Sequence, residues 1–369
     1  MHQTSYSLES KDSLLQLVRL GIGTSKDAKI SKDTDWESVK VLANQQGLLA
    51  VVFDGIKRLA KNAEILPLTT KLRWIGEVML GYEQVYVQYT KAIADLGAFY
   101  NAHGFRMMVL KGYACALNWP KPEHRPCGDI DIWLFGQQEA ADKEMVSSFK
   151  IQDPSFKIDH SHHHHTVFNW QGFMVENHYD FIEIHHHSSS FGFEKILKEQ
   201  GKNDCHYVNL LSEKIYLPSP NLHALFLLRH LMEHFASTNI NLRQLLDWAF
   251  FVEKNGNDVD WTWLENVLAQ YGMKELYQIF NSICIQDLGF NSNLFPVSQP
   301  NTSLKQKVLN EIFSAEFKEI QPAKLIPRVC FKYRRWVANG WKQKLCYKGS
   351  RFSFFLNATW NHILKPKSI

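Results

Sequence analysis

At 369 residues the chain is longer than one typical domain and has room for two or three packed units. Hydrophobic residues make up 45% and charged residues 21%, the balance of a globular protein and not of a disordered or low-complexity chain. The net charge of +4 is unevenly spread: residues 321–369 hold eleven Lys and Arg and no acid, which leaves thirty basic against thirty-seven acidic residues, about −7, in the first 320. The opening MHQTSYSLESKDS lacks the apolar stretch of a secretory signal. No uninterrupted apolar run is long enough to span a bilayer. The six cysteines, at 115, 127, 205, 284, 330 and 346, contain no Cys-x-x-Cys pair and indicate neither a zinc site nor a disulfide framework. A reducing cytoplasm is the expected location.

Residues 8–60 read as helical, with Leu14, Leu17, Val18, then Trp36, Val39, Leu42 and Ala43 at three- and four-residue spacing. Asp33-Thr34-Asp35 supplies an N-cap region. After a break at Leu66-Pro67-Leu68, a long helical pattern runs from Thr70 to Ala102, and Gly104 offers a left-handed end. A sheet region is expected from Phe105 to about Ser190. Two short apolar runs, Met107–Leu110 and Ile130–Phe135, bracket a loop rich in Pro, Lys and Arg. The second opens as Gly128-Asp129-Ile130-Asp131-Ile132, a period-two strand pattern. On a strand Asp129 and Asp131 share a face while Ile130 and Ile132 face a core. Neighbouring carboxylates repel, and a divalent cation between them relieves that cost; hard oxygen donors suit Mg²⁺.

With Leu110-Lys111-Gly112 ending the first run, Arg125 upstream and Asp129-Ile130-Asp131 on the second, this stretch resembles the nucleotidyltransferases of the DNA polymerase beta-like superfamily. It is most similar to the bacterial family called uncharacterised nucleotidyltransferase. Tyr113 stands where the superfamily has Ser or a second Gly. The resemblance implies an α+β fold: a nucleotidyltransferase-type mixed sheet with flanking helices, plus N-terminal and C-terminal helical regions. The expected division is an N-terminal helical region 1–103, a sheet core 104–200, a helical domain 201–320 and a basic aromatic segment 321–369.

The resemblance also implies a third carboxylate on a neighbouring strand. Phe181-Ile182-Glu183-Ile184-His185 alternates, and Glu183 holds that position, with Asp180 and Glu176 as fallbacks and His185 on the same face. The expected metal and catalytic set is therefore Asp129, Asp131 and Glu183 with Mg²⁺ or Mn²⁺. Lys111, Gly112, Arg125 and Gly128 are expected to bind the nucleotide. Val167–Trp170 and Phe173–Glu176, split by Gln171-Gly172, read as a hairpin, and Gln137–Phe149 as a helix. The histidines crowded between His160 and His187 lack fixed metal spacing and read as a polar loop and strand ends.

A helical domain is expected from Leu217-Pro218-Ser219-Pro220, with Pro220 at a helix start. Its first helix contains His230-Leu-Met-Glu233-His234, the His-x-x-Glu-His pattern of one class of zinc peptidases. Without a clear third ligand, that pattern weighs less than polar contacts between helices through His230, His234, Arg243 and Asp247. The functional expectation is transfer of a nucleoside monophosphate from a triphosphate to an unidentified acceptor, a small molecule, sugar or protein side chain. A decayed nucleotide-binding module and a nucleic-acid-processing protein are the alternatives. Basic charge interleaved with aromatics in 321–369 suits nucleic acid or an anionic membrane surface.

Overall fold

The computed structural model describes residues 7–59 and 66–349, apart from 152, 185, 186, 188, 204, 298, 316 and 318. Helices α1 (Leu8–Ile22), α2 (Trp36–Gln45) and α3 (Leu49–Leu59) open the chain. Ser7 and Asp35 accept the backbone N–H groups of Ser10 and Ser38 and so fix where α1 and α2 begin. Helices α4 (Leu68–Val78) and α5 (Gln84–Ala102) follow, joined through a π-helical turn at Met79–Glu83 that interrupts the long helix expected there.

A mixed sheet then forms. In chain order its elements are β1 (Met108–Val109), the short α6 (Tyr113–Ala116), β2 (Ile130–Trp133), α7 (Gln138–Phe149), β3 (His165–Trp170), β4 (Phe173–His178), α8 (Ser190–Asn203), β5 (His206–Leu210) and β6 (Glu213–Leu217). The strand order is β3-β4-β2-β1-β6-β5. β2 pairs antiparallel with β1 and parallel with β4, which sets Asp131 opposite Glu176. The expected hairpin forms, with Gln171 and Gly172 at φ 52° and 88° as a two-residue turn requires.

Two expectations for the sheet are corrected. Phe181–Ile184 makes no strand, and His185 lies outside the described residues. Phe181 and Ile182 are both buried at 2%, unlike neighbours on a strand with one buried face, and their N–H groups bond to the Glu194 carboxylate of α8 at 2.9 and 3.2 Å. The strands also run on past Ser190: β5 and β6 complete the sheet, and β6 lies parallel to β1.

One face of the sheet buries Val109, Ile130, Ile132, Val175 and Ile215 against Tyr89 and Leu96 of α5 and Met145 of α7. The other buries Met108, Leu110 and Trp133 beneath a helical layer. That layer is α9 (Pro220–Ser237), α10 (Leu242–Asn255), α11 (Trp261–Gln270), α12 (Lys274–Gln286) and α13 (Thr302–Phe313). Ser219 caps α9 with Pro220 in its first turn, and Asn241 and Gln244 close a capping box on α10.

The basic segment splits in two. Helix α14 (Leu325–Ala338) exposes Ile326, Val329, Tyr333 and Val337, whereas α15 (Gly340–Cys346) returns onto α9 with Leu345 and Cys346 buried. Trp341 meets Phe235 edge-on at 5.7 Å, and Lys342 is buried in an ion pair with Glu311 at 2.5 Å. Arg351, Phe352, Phe354, Phe355, Trp360, Lys365 and Lys367 lie outside the described residues. Among the described residues, no helix is long and apolar enough to cross a membrane.

Candidate active site

Alternation along β2 turns Ile130 and Ile132 into the α5 core and Asp131 toward the helical layer. Asp131 is only 2% exposed, and a carboxylate that deep needs cationic partners. Lys111 Nζ stands 2.9 Å from its Oδ1, and His178 Nε2 stands 3.2 Å from the same oxygen. Glu176, set opposite Asp131 by the strand register, brings Oε2 to 3.5 Å from His178 Nε2. One ligand atom from each of Asp131, Glu176 and His178 lies within 4.8 Å of the others. Asp129 precedes β2 and is exposed at the mouth of this cluster.

The electrostatics follow from that crowding. Burial pushes the Asp129 carboxyl up, and repulsion from Glu176 and Asp131 adds to it. Burial opposes charge on His178, but hydrogen bonds to Asp131 and Glu176 overcome it and push the imidazole up to about 9. Burial likewise opposes charge on Glu176, and His178 and Lys111 together hold it well below the usual carboxylate range. Lys111, despite burial, stays firmly charged beside Asp131 and Glu176. Three carboxylates thus face one ammonium and one imidazolium.

Helix α9 roofs the cluster. His230 Nε2 lies 3.4 Å from Lys111 Nζ, and the rings of His230 and His234 are 4.3 Å apart. Burial and the nearby Lys111 keep His230 neutral and bring His234 down to about 4. Glu233 turns away to Arg229 at 2.9 Å. His230 and His234 belong to neither group of three candidate metal ligands found among the described residues, so the peptidase pattern assembles no such group there.

The remaining expected residues divide. Gly112 has φ 62°, and a Cβ there would meet the Tyr89 hydroxyl at 2.3 Å. That hydroxyl donates to the Asp129 carbonyl at 2.9 Å, so Gly112 makes room for the side chain that ties the strand mouth to α5. Gly128 is exposed beside Asp129. Arg125 is buried and bound through Nε and Nη2 to both oxygens of Asp247, at 2.7 and 2.9 Å, with Trp119 Nε1 donating to Asp247 at 2.8 Å. It joins the loop before β2 to α10. Tyr113 is buried. Glu183 stands apart from the Asp131–Glu176–His178 group, with Oε2 3.5 Å from His164 Nδ1. His178 and Tyr89 were not foreseen from sequence; the one signal for His178 is its i, i+2 spacing from Glu176.

A sequence profile described as Uncharacterised nucleotidyltransferase matches residues 32–285, a span that takes in α2 to α12 and the whole sheet. No curated protein matches the chain. Among solved structures, an antigenic nucleotidyltransferase-like protein from Paracoccidioides brasiliensis aligns over 44% of this chain and 75% of its own, at 12% identity and a TM-score of 0.31. With the profile covering most of the chain, from the N-terminal helices through the Lys-Gly and Asp-x-Asp strands to the helical layer, the protein belongs to the uncharacterised nucleotidyltransferase family.

Proposed function

We propose that the chain moves a nucleoside monophosphate from a nucleoside triphosphate to an acceptor, a small molecule, a sugar or a protein side chain, with Mg²⁺ or Mn²⁺ as cofactor. The observation that carries this reading is the pair Asp131–Glu176, opposed on parallel strands with Lys111 2.9 Å from Asp131. The donor set fits a divalent cation, because three carboxylates crowd one mouth and hard oxygen donors suit such an ion. Asp131 and Glu176 would hold it, with Asp129 at the open edge. When bound, the ion neutralises triphosphate charge and stabilises an in-line displacement.

The protein's own groups have separable tasks. Lys111 attracts the triphosphate with a charge that its carboxylate neighbours keep in place. Gly128 leaves the backbone open to phosphate oxygens, and Gly112, buried against the Tyr89 hydroxyl, would hold the turn that carries Lys111. Asp129, exposed and with a raised proton affinity, would accept the proton of an acceptor hydroxyl. Glu183, beside His164, is the second candidate for that role. His230 and His234, held neutral on α9, face the cluster from the helical side, where they can meet the nucleotide.

A second reading, nucleotide binding without turnover, is favoured by Arg125, whose two-point pair with Asp247 already engages the guanidinium expected to face the triphosphate. Incubation with each labelled triphosphate, Mg²⁺ or Mn²⁺, and a lysate or small-molecule library tests the two. Label transferred to an acceptor supports the enzyme; saturable binding with no transfer supports the module. The exposed apolar and basic face of α14 supports a further proposal, contact with nucleic acid or an anionic membrane surface, which salt weakens in either case. The six unpaired cysteines suit a reducing cytoplasm.

A further inference from the structure

We propose that His164, His165 and His178 form a binding site for a borderline transition cation, of the Zn²⁺, Co²⁺ or Ni²⁺ class, beside the Asp131–Glu176 pair. The hairpin register creates it. His165 begins β3 directly opposite His178 at the end of β4, and His164 immediately precedes it. The ring centroids lie 4.3 Å apart for His164 and His165, 5.2 Å for His165 and His178, and 5.5 Å for His164 and His178. One ring nitrogen from each lies within 4.8 Å of the others.

Packing three imidazole rings together in a largely dry place is unfavourable unless something uses the lone pairs of His164 and His165; a cation there takes the place of the proton that His178 Nε2 shares with Asp131 and Glu176. His165 is 6% exposed, and its Nδ1 is buried with no hydrogen-bond partner. His178 is 3% exposed, and its Nδ1 lies 3.1 Å from the Asp180 carbonyl, the outer contact that fixes the orientation of a ligating imidazole. Its Nε2 faces Asp131 and Glu176, so a cation held by the three rings sits against two carboxylates whose charge favours it. Glu183, 3.5 Å from His164 Nδ1, puts a further carboxylate at the edge. Nitrogen donors of this kind select zinc-like cations, whereas Mg²⁺ prefers an all-oxygen shell. Three His ligands with one position left open is an arrangement that zinc accepts. A strand pair holds two of the three ligands, which suits a site of fixed geometry.

The proposal does not rest on nucleotidyl transfer, and its test uses no nucleotide. Full-length protein without an affinity tag is stripped with chelator and titrated with Co²⁺, read by visible absorption and calorimetry. The expected result is one equivalent of Co²⁺ with the strong bands of low coordination number, displaced by one equivalent of Zn²⁺ and not by excess Mg²⁺. His165→Gln and His164→Gln each lower Co²⁺ affinity by about 100-fold. His206→Ala, on the exposed start of β5, leaves it unchanged. Circular dichroism confirms that the variants fold; His164, less buried than His165, carries the test if His165→Gln does not. Absence of saturable binding overturns the proposal. So does an affinity unchanged from the parent protein in both His variants, or binding that only Asp131→Asn removes. Transfer is assayed separately with Mg²⁺ alone, so failure of this site and failure of the proposed reaction are distinguishable.

Discussion

Two polar clusters lie where the sheet region meets the helical layer, and they are built on opposite terms. In the Arg125–Asp247 clasp the one carboxylate is fully engaged: Asp247 receives three donors from Arg125 and Trp119, with Arg243 a second cation nearby. In the Asp131 cluster the acids outnumber their partners: the Asp129 carboxyl is pushed up, His178 is shared between two carboxylates, and His165 keeps a buried nitrogen unbonded. A buried pair with matched geometry acts as a strut. A buried cluster with surplus anionic charge and spare lone pairs is costly alone and favourable once a cation is added.

The contrast predicts a steep asymmetry in stability. Asp247→Ala leaves the Arg125 guanidinium buried and uncompensated and should cost about 3–5 kcal/mol by denaturant unfolding. The double change Arg125→Met with Asp247→Leu should recover most of it. A loss below about 1 kcal/mol for Asp247→Ala contradicts the strut.

Glu194 offers a pH test on the segment under the site. Burial raises its carboxyl from the usual 4.5 up to about 7, although it accepts the N–H groups of Phe181 and Ile182. Because the folded value lies above the unfolded one, its stabilising contribution is full below about pH 4.5 and is lost as pH rises through 7. At about 1.4 kcal/mol per unit the decline reaches about 3 kcal/mol. Unfolding midpoints measured from pH 5 to 8 should show it, and Glu194→Gln should flatten the slope. An unchanged slope in that variant assigns the dependence to other groups.

Gly112→Ala forces a Cβ onto the Tyr89 hydroxyl at a φ that L residues avoid, at a cost of about 1–3 kcal/mol. Tyr89→Phe removes the clashing oxygen and should restore part of that loss in the double variant. Additive losses show that backbone conformation alone sets the requirement for Gly112.

The smallest stability effect is expected at the site. Asp131→Asn keeps the shape and leaves Asp129 and Glu176 facing Lys111 and His178, so the charges then balance. Stability should shift by less than about 1 kcal/mol, measured by the same unfolding. A loss as large as that of Asp247→Ala makes this cluster a strut as well.

Sequence alone carried the strand through Ile130, Asp131 and Ile132, because period two separates Asp131 from its neighbours without any knowledge of the fold; Asp129, expected on the same strand face, falls just before the strand begins. The β3–β4 hairpin was equally legible in Gln171-Gly172. Glu176 and His178 reach Asp131 through the parallel β2–β4 register, which no local pattern encodes, so Glu176 stood only as a fallback for the third carboxylate. Phe181–His185 alternates like a strand, but Glu194 takes the N–H groups of Phe181 and Ile182. The β5–β6 turn was hidden because Leu211 and Ser212 adopt positive φ without Gly or Asn to mark it. A buried strut and a phosphate ligand look alike at Arg125 until its partner, 122 residues on, is known.

The central claim is that the Asp131–Glu176 site holds a metal-bound triphosphate. Its most direct test is calorimetric titration of each Mg²⁺-bound ribonucleoside triphosphate into the parent protein and the folded Asp131→Asn, Glu176→Gln and Glu183→Gln variants. Saturable binding to the parent that Asp131→Asn and Glu176→Gln abolish, and Glu183→Gln largely keeps, is the predicted result; unchanged affinity in Asp131→Asn contradicts it.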